Sequence, residues 1–344
     1  MKTIAIIGAS YLQRPLVERA KEMGLRTICF AWAEGAVCKE LCDVFYPVSV
    51  LEKEEILRIC QSEQIDGICT IASDAAAPTV AYVAEQMGLT GNSYEAAVRA
   101  NNKYAMREAF SHANIPCPKY VRVIGDWKLE IGNWNLELPL IVKPSDRSGS
   151  LAVTKVETQA DLKPAIEKAI EASFAHEAMV EEYIEGREIS VEMISCRGIH
   201  YALQITDKVT TGAPHFVELE HHQPSDLPAA MQTHIFDITR RALDALGLTN
   251  GASHSEYKIT REGRIAVMEI GGRMGGDFIG SDLVKLSTGY DFVEGVIRVA
   301  LGEIIHPEPK QIGRSSVIFE APENVSCSAE RTGYRIYQDG KLVI

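Results

Sequence analysis

The sequence predicts an α/β chain of two or three lobes, with an open parallel sheet first and antiparallel strand pairs later. Three observations carry this reading. A chain of 344 residues is too long for one simple core. Between residues 3 and 87, apolar runs alternate with helical periodicity, the pattern of a parallel sheet covered by helices. Beyond residue 138 the β-rich runs come in pairs joined by turn residues.

Thr3-Ile4-Ala5-Ile6-Ile7 reads as a buried strand, ended by Gly8-Ala9-Ser10 and followed by a helix through Lys21 that stops at Gly24. Arg26–Phe30 is the next strand. A helix covers Lys53–Ser62, a strand Gly67–Ile71 and a helix Pro78–Met87. Gly8-Ala9-Ser10 invites comparison with a dinucleotide fold, yet Ser10 and Gln13 stand at the later glycine positions. No acidic residue ends the second strand either, where Phe30-Ala31-Trp32 stands. Asp74 falls at the carboxyl end of a strand, where open α/β sheets place ligands; it either touches substrate or caps its loop.

Asn102 is placed to cap a helix that runs from Lys103 to about Ala113 and stops at Asn114-Ile115-Pro116. A lysine in a first helical turn opposes the helix dipole unless an anion shares the site. Leu138–Pro144 is a strand ending in Lys143, and Ser145–Ser150 leads to a second strand, Leu151–Val156. A small, hydroxyl-rich loop between strands can turn its N–H groups onto phosphate oxygens, although the GxxxxGK[ST] pattern is missing. Asp161–Ala172 is helical. Ala178–Met193 follows as strand, kink at Gly186, strand, with an acidic hinge (Glu181, Glu182, Glu185, Glu188) able to hold nucleoside hydroxyl and amino groups.

His254–Ile259 and Ala266–Arg273 alternate with period two around the turn signal Arg261–Arg264. With Glu262-Gly263 as a two-residue loop, Glu256 lies opposite Glu269. His254, Glu256, Lys258, Glu269 and Arg273 then share one face, and Tyr257, Ile259, Met268 and Ile270 the other. Opposed carboxylates, roughly 4.5–5.5 Å apart at Cβ, repel unless something positive lies between them, and a divalent cation suits. A solvated hairpin with an accidental charge pair is the plain alternative.

Composition narrows the class. With 46% hydrophobic and 24% charged residues, extended disorder is not expected. A net charge of -12 argues against binding nucleic acid or a membrane surface, both of which need a basic field. The eight cysteines form no CxxC pair, and with no signal peptide or bilayer-length apolar run they read as reduced thiols of a cytoplasmic protein. Zinc at Cys38 and Cys42 would lack a second ligand pair.

The order of the motifs is more specific than any one of them. Asn102-Lys103; Ile141-Val142-Lys143-Pro144 with its small loop; Glu181-Glu182-Tyr183-Ile184-Glu185-Gly186-x-Glu188; and Glu256…Glu269-x-x-x-Arg273 occur in that sequence. Together they resemble the ATP-grasp superfamily over nearly the whole chain. The resemblance implies a Rossmann-like pre-ATP-grasp domain (1–93), an N-terminal ATP-grasp part with a mobile lid (94–185, lid from about 120), and a C-terminal part (186–344). It also implies ATP and Mg2+, or Mn2+ in its place. Lys103 and Lys143 would contact phosphates, and Ser148, Gly149 and Ser150 would form the lid tip. Glu181, Glu182, Tyr183 and Ile184 would receive adenine, and Glu188 the ribose. Glu256 and Glu269 would ligate the metal, with Arg273 and Lys143 assisting catalysis. Many relatives carry Glu-x-Asn-x-Arg with the asparagine as a further ligand; here Gly271 replaces it.

Within the superfamily, Gly271–Asp277, His254–Lys258 and Pro214–Pro224 are similar to the amino-acid ligases, which join a carboxylate to an amine. That branch implies substrate contacts from Glu218, His221, His254, Arg273, Gly275 and Gly276. The partners implied are a small carboxylate and an amine, and a homodimer is one expected assembly. Purine-pathway or carboxylase-type ATP-grasp enzymes are the runner-up. A nucleotide-binding sensor and a dehydrogenase are readings from other classes. Arg314–Glu320 and Tyr334–Ile344 read as strands, with Asp339-Gly340 as a turn. Amino-acid ligases of this type often continue with residues that cover the site, so a shortened chain, a smaller subtype and completion by another subunit stay open.

Overall fold

The structure is a computed structural model that describes residues 1–125, 134–147, 149, 151–213 and 215–344. The first lobe runs β1 (Thr3–Ile7), α1 (Arg14–Glu22), β2 (Arg26–Phe30), β3 (Val44–Tyr46), α2 (Lys53–Glu63), β4 (Gly67–Cys69) and α3 (Ala77–Met87). The middle holds α4 (Tyr94–Asn101), α5 (Lys103–His112), β5 (Tyr120–Val123), β6 (Leu140–Pro144), β7 (Thr154–Val156), α6 (Gln159–Ala172) and β8 (Ala178–Glu182). The remainder runs β9 (Arg187–Cys196), β10 (Ile199–Thr210), β11 (Glu218–Gln223), α7 (Ala229–Leu246), β12 (Gly251–Ile259) and β13 (Ile265–Gly271). A π-helical turn (Ile279–Leu283) then leads to α8 (Val284–Thr288), α9 (Phe292–Ala300), β14 (Ser315–Glu320), β15 (Gly333–Gln338) and β16 (Lys341–Leu342).

The first sheet is parallel throughout, in the order β3-β2-β1-β4, as the strand–helix alternation predicts. Ala5, Ile7, Ile28 and Phe30 pack one face onto α2 and α3. Ile4, Ile6, Cys29 and Cys69 pack the other onto α1 and, from far along the chain, onto Phe292, Val296 and Val299 of α9. The first lobe therefore borrows a helix from the last third of the sequence. At the end of β1 the side chain of Gln13 fills the mouth of the Gly8 loop. It accepts bonds from the Ser10 N–H (3.1 Å) and Oγ (2.7 Å) and donates to Ile71 O (2.8 Å). The Ser10 amide of the loop a dinucleotide would use is turned to that glutamine, against the dehydrogenase reading.

The second sheet, β5-β8-β6-β7, is antiparallel and packs onto α6 through Val142, Val156, Leu162 and Ile166. The third has eight antiparallel strands in the order β13-β12-β9-β10-β11-β14-β15-β16. One face of it buries Ile189, Val191, Ile205, Tyr257 and Val267 against Met106 and Phe110 of α5 and Ile238 and Leu243 of α7. The opposite face carries the polar side chains described below. β10, β11 and α7–α9 were not anticipated as elements. Asn102 caps α5 as expected, accepting the Ala105 N–H at 2.9 Å, and also ends α4.

The β12–β13 hairpin corrects the sequence reading in one detail and preserves its conclusion. The loop is not the two residues Glu262-Gly263. Thr260 O accepts the Gly263 N–H at 3.0 Å, Gly263 has φ +83°, and the Thr260 N–H reaches Arg264 O at 3.0 Å. This is a three-residue loop, a turn followed by a left-handed glycine. Near the loop Tyr257 therefore pairs with Val267, and Val267 and Ile265, not Met268, join Tyr257 and Ile259 in the core. A bulge between Glu256 and Tyr257 inserts one extra residue in β13, and past it Glu256 faces Glu269 after all. Two one-residue departures cancel.

Candidate functional site

Two arms of polar side chains meet on the open face of the large sheet. The first comes from α5, β6 and β8. Lys103, buried in the first turn of α5, is 3.0 Å from Glu269 Oε1 and donates to Arg147 O at 2.7 Å. Its own N–H donates to Ser145 O at 2.7 Å, so the base of the Ser145–Ser150 loop is tied to that helix end. Lys143, at the end of β6, lies 2.6 Å from Glu181 Oε2. Arg107, fully buried, reaches the other oxygen of Glu181 at 2.8 Å and Met268 O at 2.7 Å. Gly149 is exposed in a left-handed turn, and Ser148 and Ser150 lie outside the described residues.

Charge does not balance in this arm. Lys103, Arg107 and Lys143 face two carboxylates, Glu181 and Glu269. Burial would raise the Glu181 carboxyl, but the charges of Arg107 and Lys143 hold it below its ordinary range. For Lys143, burial pulls the ammonium's pKa down; Glu181 opposes this, while Arg107 and Lys103 add to it. Such an arm is completed by an anion. Arg107 is a residue that sequence reading missed: a helical arginine one turn past Lys103 carries no motif signal.

Glu181 is thus turned inward and engaged by two cations. The next two amides are also taken, Glu182 N–H by Lys119 O (3.0 Å) and Tyr183 N–H by Pro139 O (3.2 Å). The Glu182 carboxylate pairs with Arg264, and Lys155 lies 4.6 Å over the Tyr183 ring. Ile184 is buried at the strand end. Glu188 accepts from Lys258 at 2.5 Å across the β9–β12 pairing.

The second arm comes from β9–β13 and the turn after β13. Glu256 and Glu269 face each other as expected, but each already has a lysine, Lys208 at 2.7 Å from Glu256 and Lys103 on Glu269. Lys208 also pairs with Glu218. Lys208 is a second missed residue; it lies in β10, a strand that was not anticipated, and no motif marks it. Its charge holds the Glu256 carboxyl well below its ordinary range, against burial and Glu218. Burial would lower the Lys208 pKa, yet Glu218 and Glu256 raise it overall. His254 Nδ1 bonds the fully buried Glu192, whose other oxygen accepts the Gly275 N–H at 3.2 Å. Burial would lower the His254 pKa; Glu192, and then a bond toward Glu256, push it up to about 9.

Arg273 forms a two-pronged pair with Asp74, Nε to Oδ1 and Nη2 to Oδ2 at 2.8 Å each, which brings the first lobe into the site. Ala72 N–H to Met274 O (3.1 Å) seals the same junction. Asp74 also bears on Gly271: a Cβ at that glycine would sit 2.8 Å from Asp74 Oδ1. A carboxylate from another lobe stands where the missing asparagine side chain would begin. Gly276 lies against Ala72, where a Cβ would meet the alanine Cβ at 3.3 Å. Glu218 and His221 are brought together, 3.5 Å apart, at one end of this arm.

This is the geometry of the ATP-grasp fold. The chain has the ATP-grasp fold, with the ATP-grasp domain matched over residues 136–282 and a Rossmann-like sheet before it. Among sequence relatives, it is 27% identical over 245 residues to alanine–anticapsin ligase of Bacillus subtilis, covering 65% of this chain and 51% of that protein. The chain thus spans about half the length of the curated relatives it first matches. In fold it is similar to L-amino acid ligase of Bacillus licheniformis (TM-score 0.82, 24% identity, 94% of this chain and 81% of that one). It is also similar to phosphoribosylglycinamide synthetase of Anaerococcus prevotii (TM-score 0.81, 20% identity, 99% and 94%). No helix among the described residues is long and apolar enough to cross a membrane.

Proposed function

We propose that the protein is an ATP-dependent carboxylate–amine ligase, activating a carboxylic acid, an amino acid by preference, for capture by an amine with release of ADP and phosphate. The carrying observation is the juxtaposition of a cation-rich arm (Lys103, Lys143, Arg107) with the opposed pair Glu256 and Glu269. Attack of a carboxylate on a γ-phosphate gathers anions, so the site needs positive charge more than a base. Lys103 and Lys143 would take phosphate oxygens. Glu256 and Glu269 form an oxygen-only donor set of the kind Mg2+ accepts alongside nucleotide phosphates. Arg273, fixed by Asp74, would steady the carboxylate being activated. Glu218, His221, His254, Gly275 and Gly276 would border the acid and amine.

Adenine would meet the β8 end at Ile184, because the amides of Glu182 and Tyr183 and the Glu181 carboxylate are engaged. Glu188 would take the ribose. The amino-acid ligases among the sequence relatives favour amino acids over bicarbonate or a ribonucleotide amine.

The test is phosphate release from MgATP with paired amino acids. Release only when an acid and an amine are both present is expected. ADP formed with bicarbonate alone would move the protein to the carboxylase type. Tight ATP binding with no turnover for any pair would make it a sensor.

A further inference from the structure

The structure contains a second candidate cation site, separate from the Glu256–Glu269 pair. The geometry points to a three-ligand site for a borderline divalent ion of the zinc, cobalt and manganese class, formed by Glu218, His221 and Asp277. One donor atom from each lies within 4.8 Å of the other two.

His221 carries the argument. Its ring is fully buried, and neither nitrogen has a hydrogen-bond partner among the described residues. The 3.5 Å from Nε2 to Glu218 Oε2 is too long and poorly placed to count as a bond. A buried imidazole with both nitrogens unmatched is costly, and a metal ligated by one of them removes the cost. The ring is held in place from behind by an edge contact with Phe319 (centroids 5.7 Å), over which Arg331 stacks at 3.9 Å.

Charge points the same way. The connected polar cluster holds four carboxylates (Glu192, Glu218, Glu256, Asp277) against three cations (Lys208, His254, Arg331). Lys208 is shared by Glu218 and Glu256, while Arg331 pairs with Asp277 at 2.8 and 3.0 Å. The shortage of positive charge therefore lies beside the unmatched ring, on half-buried carboxylates.

Two backbone irregularities make the three donors converge. The β10–β11 register shifts between Val209 and Thr210, which puts an extra residue between Glu218 and Glu220. Without it Glu218 and His221, three apart on a strand, would point to opposite faces. Asp277 and Phe278 both have left-handed backbones (φ +49° and +65°), a conformation strained in residues with side chains.

One nitrogen and two carboxylate ligands suit zinc, cobalt or manganese better than magnesium, which prefers oxygen alone. Three protein ligands leave coordination positions open, and the ion would offer these to the substrate carboxylate at this end of the site. The site itself stands independently of ATP turnover.

The test uses Co2+ as a visible-absorbing probe on the full chain. One equivalent is expected to bind with nitrogen-ligand absorption, displaced by Zn2+ and not by excess Mg2+. His221→Ala and Asp277→Asn should each weaken Co2+ binding at least about tenfold, while Glu269→Gln leaves it unchanged. Absence of any Co2+ band with the unaltered protein would overturn the proposal, even where the variants fail to fold. So would a band that survives His221→Ala and disappears in Glu269→Gln, which assigns the ion to the glutamate pair.

Discussion

A lysine out of water between two carboxylates is held by them as much as it holds them. Lys208 neutralises Glu218 and Glu256, and removing one member of such a buried group leaves uncompensated charge. Lys208→Met is expected to lower unfolding stability by about 3 kcal/mol or more in urea titration. Added Mg2+ should return more of that loss in the variant than in the unaltered protein, because the ion replaces the missing ammonium. Equal Mg2+ effects on both would detach Lys208 from the cation site.

His254 gives a pH dependence. Its pKa is about 9 in the fold against an ordinary 6.5, so the folded state binds the extra proton between those values. The stabilisation is complete below about pH 6.5 and disappears as pH rises through about 9. Chemical denaturation at pH 6, 8 and 9.5 should show stability falling over this window. Glu192→Gln should flatten the fall. A rise with pH would contradict the Glu192–His254 pair. At Glu269 the expectation is functional: Glu269→Gln keeps the fold by circular dichroism but loses at least about 100-fold in Mg2+-dependent ATP turnover.

At the scale of elements, the β12–β13 hairpin depends on close backbone approach. A Cβ at Gly186 would lie 2.6 Å from the carbonyl carbon of Ile259 and closer still to its oxygen. Backbone cannot swing aside as a side-chain tip can. Gly186→Ala should therefore displace the end of β12, disturb the Lys258–Glu188 pair and raise the KM for ATP more than it lowers kcat. An unchanged KM would mean that Glu188 does not bear on nucleotide. The same hairpin shows why strand pairing was only partly legible. Period-two alternation identified both strands and the Glu256–Glu269 pairing, but nothing local distinguishes a two-residue loop from a three-residue loop with a bulge beyond it. β10 and β11 were missed for a related reason. Their alternation is broken by bulges and by inward polar residues: Lys208 and His221, which belong to the site, and Gln204, which bonds Ser287.

At the scale of the molecule, the site is shared between lobes. Asp74 holds Arg273 and occupies the space above Gly271. Gly271→Asn alone is expected to lower turnover, because the new side chain would collide with Asp74; Gly271→Asn with Asp74→Gly should recover part of it. No recovery would mean that the asparagine fails for a reason other than Asp74. The cores make a further expectation. The first sheet and the large sheet share one apolar cluster through α9, whereas β5–β8 and α6 pack in their own. Hydrogen exchange should find the first and large sheets opening together and the β5–β8 sheet opening at lower free energy.

The sequence by itself determined the parallel first sheet, the order of the lysines and glutamates, and the facing of Glu256 and Glu269. Those follow from periodicity and spacing along one stretch of chain. Only the tertiary structure decided which charges balance: Lys208 meets Glu256, Arg107 meets Glu181, Glu192 meets His254 and Asp74 meets Arg273, each pair brought together from elements distant in sequence. Charge balance in a buried site is a property of everything folded around it, and a linear reading sees each charge alone.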